Sequence, residues 1–137
     1  MSDCVFCKIV KGEIPCYKIY EDKDFLAFLD IAPFVENHTL VIPKKHYRWV
    51  WDLPVDEKIR PNLGDYFSVA GRIINHYRRV LGIDFVSSIV WGQLVAHAHI
   101  QILPGPHNLA LSWQRSKLDP KKAEETVKRL ALSPPSF

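Results

Sequence analysis

Apolar and polar positions change their spacing several times along the chain, and each change predicts an element. Tyr17–Asp22 reads as a short strand and Asp24–Asp30, DFLAFLD, as a second. The charged EDKD between them marks a hairpin without the Asn-Gly of a two-residue turn. Residues 31–37, IAPFVEN, form a loop carrying a proline, and HTLVIP gives a third, strongly apolar strand that ends at Pro43. From Val55 to Leu81 the period becomes helical, with Leu63, Phe67, Ala70, Ile74, Tyr77 and Leu81 on one stripe and Gly82 as the stop. Two more strands are predicted at about Phe85–Val90 and Leu94–Leu103, the second closed by Pro104-Gly105-Pro106. DPKKAEETVKRLAL predicts a C-terminal helix over about 119–132. Asp119 is its N-cap and Pro120 its first residue, with acids early and bases late. The tail LSPPSF is expected to fray.

Links of hairpin length imply antiparallel pairing, so the fold class is α+β. We expect an antiparallel sheet of about five strands, one long central helix and a C-terminal helix. The 137 residues suit a single domain, 1–137, large enough to bury a core without disulfides. Hydrophobic residues at 47% and charged residues at 24% give an ordinary globular composition, not a disordered one. A net charge of +3 gives little support to nucleic acid as a partner and suits a small anion equally well. No apolar run is long enough to span a membrane, and MSDCVFCKIVKGE holds no apolar signal core, so a cytoplasmic location is expected. In such a reducing compartment, Cys-x-x-Cys suggests metal or redox chemistry before a structural disulfide. The scattered glycines contain neither GxxxxGK[ST] nor GxGxxG.

LVAHAHIQILPG carries the densest chemistry. On a strand, His97, His99 and Gln101 share one face while Ala96, Ala98, Ile100 and Ile102 share the other. The apolar face suits a core. The polar row is either the solvated side of an antiparallel strand or a site, because three such groups are costly to bury unpaired. Cys4-x-x-Cys7 reads as a redox pair, half of a zinc site, or two buried thiols. For zinc, spacing does not choose among His38, His46, His76, His97, His99 and His107. Asp30, at the end of an apolar strand, is a ligand-binding carboxylate or a turn initiator. His38 opens the third strand as a site residue or a solvated start. Tyr47, Trp49 and Trp51 alternate, which gives that stretch one apolar face for core or subunit packing, ahead of a base-stacking platform. The basic runs at Arg78 and Lys121 read as solvated helix faces.

His97-Ala-His99-Ile-Gln101-Ile-Leu resembles the histidine triad motif, His-φ-His-φ-His-φ-φ, with Gln in the third place. The block CVFCKIVKGEIPCYKIYEDKDFLAFLDIAPFVENHTLVIPKKH independently resembles the opening of bacterial, zinc-binding histidine triad proteins. The resemblance runs from about Cys4 to Gly105, with Trp49–Leu81 alike only in pattern. It implies a HIT-like fold and a nucleotide-binding hydrolase or nucleotidylyltransferase acting at the α-phosphate. The transferase and dinucleoside polyphosphate phosphorylase branch is one alternative, and a non-catalytic nucleotide-binding module is another.

By the same resemblance His99 is the nucleophile and forms a covalent nucleotidyl-histidine, with the backbone carbonyl of His97 receiving its other ring proton. Cys4, Cys7, His46 and His97 match the ligands of a structural zinc. Val5, Phe6 and Ile9 match residues against the base. Phe28, Asp30 and Ile31 match the sugar site, Asp30 accepting from the ribose hydroxyls. His38 matches the histidine supporting the active-site hydrogen bonds, and Gln93 a residue beside the phosphate. A two-fold homodimer is implied. Cys16 lies outside the pattern.

Two departures bear on activity. Gln101 can donate a hydrogen bond but supplies neither charge nor proton, which biases the chemistry toward transfer, phosphorolysis or slow hydrolysis. Leu94 stands where many members carry a serine that bonds the leaving group, in a loop shorter than usual. Trp91 in that loop either closes the pocket or packs.

Overall fold

The computed structural model describes residues 3–106 and 114–135. His107 and the end of the tail lie outside the described residues. A short helix α1 (Val5–Val10) precedes strands β1 (Lys18–Glu21), β2 (Phe25–Leu29) and β3 (Thr39–Pro43). A 3₁₀ turn at Val50–Asp52 leads into the long helix α2 (Leu63–Leu81), followed by β4 (Val86–Ile89), β5 (Ile100–Pro104) and α3 (Pro120–Leu130). The strands form one antiparallel sheet in the order β1-β2-β3-β5-β4. The α+β class, the five strands and both long helices are as the sequence predicts.

Both faces of the sheet are covered, which is why β2, β3 and β5 are buried along their whole length. One face carries Ala27, Leu29, Val41, Ile100 and Ile102 against Tyr66, Val69, Ala70, Ile73 and Tyr77 of α2 and Ala123 and Leu130 of α3. The other face carries Leu26, Phe28, Leu40 and Ile42 against Phe6, with Ile9 and Val10 of α1 partly buried beside them. Odd and even positions of one strand therefore serve two cores, and the smaller core holds the site.

Several expectations are corrected. The central helix begins at Leu63, not Val55. Pro61 disfavours helical backbone at Arg60, and the Asn62 side chain caps the helix by accepting from Asp65 N at 2.8 Å. Its stop is as read: Gly82 sits at φ 63 and donates its N–H to Arg78 O. The buried stripe is Tyr66, Val69, Ala70, Ile73 and Tyr77, which leaves Phe67 exposed.

The last strand begins at Ile100 rather than Leu94. Continuing the β3–β5 register would bring Pro43 opposite Ala98, but Pro43 has no N–H, and Ala98 N donates to Tyr47 O at 2.7 Å. Ala96 is therefore exposed and does not share the core face with Ala98, Ile100 and Ile102. Tyr47, Trp49 and Trp51 form no single apolar face: Tyr47 packs on the core, while Trp49 and Trp51 are exposed around the 3₁₀ turn. In α3, Asp119 caps as expected by accepting from Lys122 N, but the first turn holds no acid.

Candidate functional site

Cys4 caps helix α1: its Sγ accepts from Cys7 N at 3.3 Å. One helical turn then sets both thiols on the same side, facing His46 and His97. Cys4 Sγ lies 3.3 Å and Cys7 Sγ 3.5 Å from His97 Nδ1, and Cys7 Sγ is 3.2 Å from His46 Nδ1. The two Nδ1 atoms are 3.1 Å apart. One donor atom from each residue falls within 4.8 Å of all the others, a set that could hold a single metal ion.

Proton placement agrees. His97 Nε2 is 2.8 Å from the carbonyl of Pro43, so Nε2 carries the proton and Nδ1 is left with a lone pair. Burial, followed by the nearby Cys4 thiol, pushes the Cys7 thiol up to about 11. Two thiolates this close repel, and a cation between them reverses that penalty. Of the six histidines, the fold brings only His46 and His97 into this cluster among the described residues.

Beside the cluster, His97, His99 and Gln101 are all buried rather than solvated. His99 Nδ1 donates to the His97 carbonyl at 2.9 Å, which leaves Nε2 as a free lone pair. Burial lowers the proton affinity of His99, outweighing the opposing pull of that carbonyl and of Asp30, so the ring is neutral near pH 7. Phe6 meets the rings of His97 and His99 edge-on, with centroids 5.8 and 5.4 Å away. Behind Gln101, His38 Nδ1 accepts from Phe34 N at 3.1 Å, so its Nε2 donates to Gln101 Oε1 at 3.0 Å. That bond fixes the amide and leaves the Gln101 NH2 free to donate. Burial holds His38 below its usual range.

His99 and Gln101 open into a cavity of about 270 Å³ lined also by Val5, Phe6, Ile9, Phe28, Asp30, Ile31 and Gln93. His38 does not line this cavity; it supports Gln101 from behind. Leu94 and Trp91 also line it, with Leu94 71% exposed. Cys16, given no role above, is a partly buried part of the same wall, its thiol pushed up by burial.

Two arginines were missed. Arg48 Nη1 donates to Gly92 O at 2.9 Å, and its guanidinium lies 3.7 Å over Trp49. This ties down the loop before His97. Gly92 is at φ 78, and a Cβ there would meet the Trp49 ring at 3.1 Å. Arg115 comes from the segment before α3 and bonds Asp30. Neither belongs to a periodic pattern, and no local sequence signal marks them.

A mostly apolar cavity lined by a neutral imidazole, an amide donor and a carboxylate makes this α+β protein a candidate to hold a small ligand with an apolar body and a polar end. The relatives make the class specific. The family model described as HIT domain matches residues 11–108. The adenylylsulfatase HINT3 of Arabidopsis thaliana is 35% identical over 137 residues, covering 96% of this chain and 61% of that protein. The adenosine 5'-monophosphoramidase hnt1 of Schizosaccharomyces pombe is 34% identical over 135 residues, covering 87% of this chain and 89% of that protein. A crystal structure of a zinc-bound histidine triad family protein from Mycobacterium smegmatis superposes with a TM-score of 0.73 at 36% identity, over 94% of this chain and 91% of the other. The chain belongs to the histidine triad (HIT) family.

Proposed function

We propose that the chain is a nucleotide-binding hydrolase or nucleotidyl transferase that works through a covalent intermediate on His99. One observation carries this reading: His99 keeps its proton on Nδ1, against the His97 carbonyl, and so offers the Nε2 lone pair to the cavity. Nε2 attacks the α-phosphorus of a nucleoside phosphate derivative, the bond to the leaving group breaks, and a nucleotidyl-histidine forms. The positive charge that develops on the ring is stabilised by the His97 carbonyl. Water or a phosphate acceptor then attacks phosphorus and frees His99.

Gln101 donates its NH2 to a phosphate oxygen, and Gln93 lies beside the phosphates. Val5, Phe6 and Ile9 take the base. Phe28 and Ile31 flank the sugar, whose hydroxyls donate to Asp30. Neither Gln101 nor Leu94 can deliver a proton, so leaving groups that depart as stable anions are favoured. The names of the two curated relatives, an adenylylsulfatase and a monophosphoramidase, support an adenylyl group as the portion transferred.

Cys4, Cys7, His46 and His97 would hold a structural zinc, whose positive charge allows two thiolates to sit side by side. The same His97 then anchors the backbone carbonyl that orients His99. The reading includes one HIT domain acting in the cytoplasm as a two-fold homodimer. Exposed Trp51 stacked on Phe67 at 6.2 Å, and the β4 edge of the sheet, offer the surface for such a dimer. Among the described residues no helix is long and apolar enough to cross a membrane.

The test is intact-protein mass spectrometry after brief incubation with a nucleoside phosphoramidate, a dinucleoside polyphosphate and a nucleotide sugar, beside His99→Ala. A mass gain of one nucleoside monophosphate, absent in His99→Ala, is expected. Nucleotide binding without labelling by any of the three would make the protein a binding module, with Leu94 as the reason.

A further inference from the structure

Asp30 is already engaged before any ligand arrives. Its Oδ1 accepts from Ala32 N at 2.8 Å, and Arg115 Nη2 donates to Oδ1 and Oδ2, both at 3.0 Å. His38 Nε2 lies 3.7 Å from Oδ2, but its proton is committed to Gln101. A carboxylate accepts about four hydrogen bonds, so three are used and one position remains, on Oδ2.

A ribose diol brings two hydroxyls, each able to donate and to accept. The open position on Asp30 takes the proton of one. The other hydroxyl needs a donor. Arg115 lines the same cavity and is 38% exposed, and its Nη1 and Nε have no hydrogen-bond partner among the described residues.

The arginine is also held in place. Ser116 N and Oγ donate to Pro33 O at 2.8 and 3.0 Å, and Leu118 N donates to Ile31 O at 3.0 Å. Residues 114–118 thus form a strap fastened along the loop that follows β2. The guanidinium carbon sits 5.0 Å from the Phe34 ring centroid, and Phe34 N is bonded to His38.

We propose that Arg115 is a specificity-determining residue that reads the ribose together with Asp30. Asp30 accepts from one sugar hydroxyl while Arg115 donates to the oxygen of the other, so the pair selects ribonucleotides over nucleotides lacking either hydroxyl. This rests on the nucleotide reading above.

The experiment is calorimetric titration of adenosine 5'-monophosphate and its 2'-deoxy and 3'-deoxy analogues. The proteins are the wild type, Arg115→Met, which keeps the packing without a donor, and Arg115→Lys, which keeps a charged donor. The wild type is expected to bind each deoxy nucleotide about tenfold more weakly than the ribonucleotide, as for one lost charge-assisted hydrogen bond. Arg115→Met is expected to lose a similar factor for the ribonucleotide and little more for the deoxy analogue whose missing hydroxyl faced Arg115. Arg115→Lys is expected to restore part of the difference.

Tighter ribonucleotide binding by Arg115→Met would overturn the proposal, since Arg115 would then be a competitor for Asp30. Equal weakening of all three nucleotides would also overturn it, because that is general attraction to phosphate. If the ribonucleotide fails to bind the wild type, the parent reading falls and takes this one with it. If it binds regardless of residue 115, only this proposal falls.

Discussion

The backbone carbonyl of His97 accepts the Nδ1 proton of His99 at 2.9 Å, while the His97 ring faces the Cys4, Cys7 and His46 donors. A single residue therefore joins this donor cluster to the proposed nucleophile through its own main chain. Anything that shifts His97 alters the bond that sets the tautomer of His99.

On the proposed reaction, His99→Ala should lower kcat/KM by about a thousandfold or more, since the nucleophile is lost outright. Nucleotide affinity should stay within about threefold, because His99 contributes chemistry more than binding. Steady-state kinetics paired with calorimetry measures both. A residual rate above one per cent of the wild type would count against a covalent path.

Gln101→His should restore a proton donor beside the leaving group. We expect at least a tenfold gain with amine leaving groups, approaching the about 10²–10⁴ usual for general acid catalysis, and less than about a threefold change with phosphate or sulfate leaving groups. His38 Nε2 already donates toward this position, so an imidazole there has a partner for one ring nitrogen. An equal effect on both classes of substrate would mean that protonation does not limit the reaction.

Metal content should be one ion per chain, zinc by elemental analysis, and near zero in Cys4→Ser with Cys7→Ser. The melting temperature of the double variant should fall by roughly 10 °C, at about 2–8 °C per kcal/mol for chains of this size range. A strong chelator should reproduce the shift in the wild type. Unchanged melting with the metal removed would assign the cluster no structural role.

Folding stability should fall as pH drops below about 6.5. Burial keeps His38 and His99 below that usual value in the folded chain, despite the opposing pull of Asp30 on both. The unfolded chain takes up those protons first, so it binds more protons in this window and stability rises with pH there. Urea unfolding at about pH 7.5 and 5.5 reads the slope, which His38→Gln should flatten. Identical slopes would place the pH dependence elsewhere.

Tyr77→Phe tests the joint between the long helix and the sheet. Thr39 Oγ1 donates to Asn37 O at 3.0 Å, so the Tyr77 hydroxyl, 2.6 Å from Oγ1, is the donor in that pair. Removing it should cost about 1 kcal/mol with no change in m-value, measured by urea unfolding. Ile73→Ala, fully buried on the same helix, should cost about 3 kcal/mol.

Strands with a continuous apolar run, such as LVIP, were legible because burial on two faces selects apolar residues at odd and even positions alike. The site was legible where chemistry is compressed into a motif: the Cys4–Cys7 spacing, and the His97, His99 and Gln101 row. Helix α1 was not, because its capping group is a cysteine rather than Ser, Thr, Asp or Asn. The early end of β5 was not, since it depends on Pro43 and on the Tyr47 carbonyl, residues far away in the chain. The burial stripe of α2 was displaced at Phe67 because a local period does not say which of two adjacent aromatics, Tyr66 or Phe67, faces the sheet. Tyr66 wins because its hydroxyl reaches Val41 O at 2.5 Å.

The strap at residues 114–118 also sets an order of assembly. A nascent chain emerges from the ribosome N-terminus first, so Cys4, Cys7, His99 and Gln101 are all translated before Arg115. Until the strap is made and laid along the loop after β2, the Asp30 end of the cavity lacks the guanidinium of Arg115. Helix α3 is made after the strap and packs Ala123 and Leu130 into the larger core, so a chain cut short before residue 114 would lose Arg115 from the cavity and part of the packing behind the sheet together.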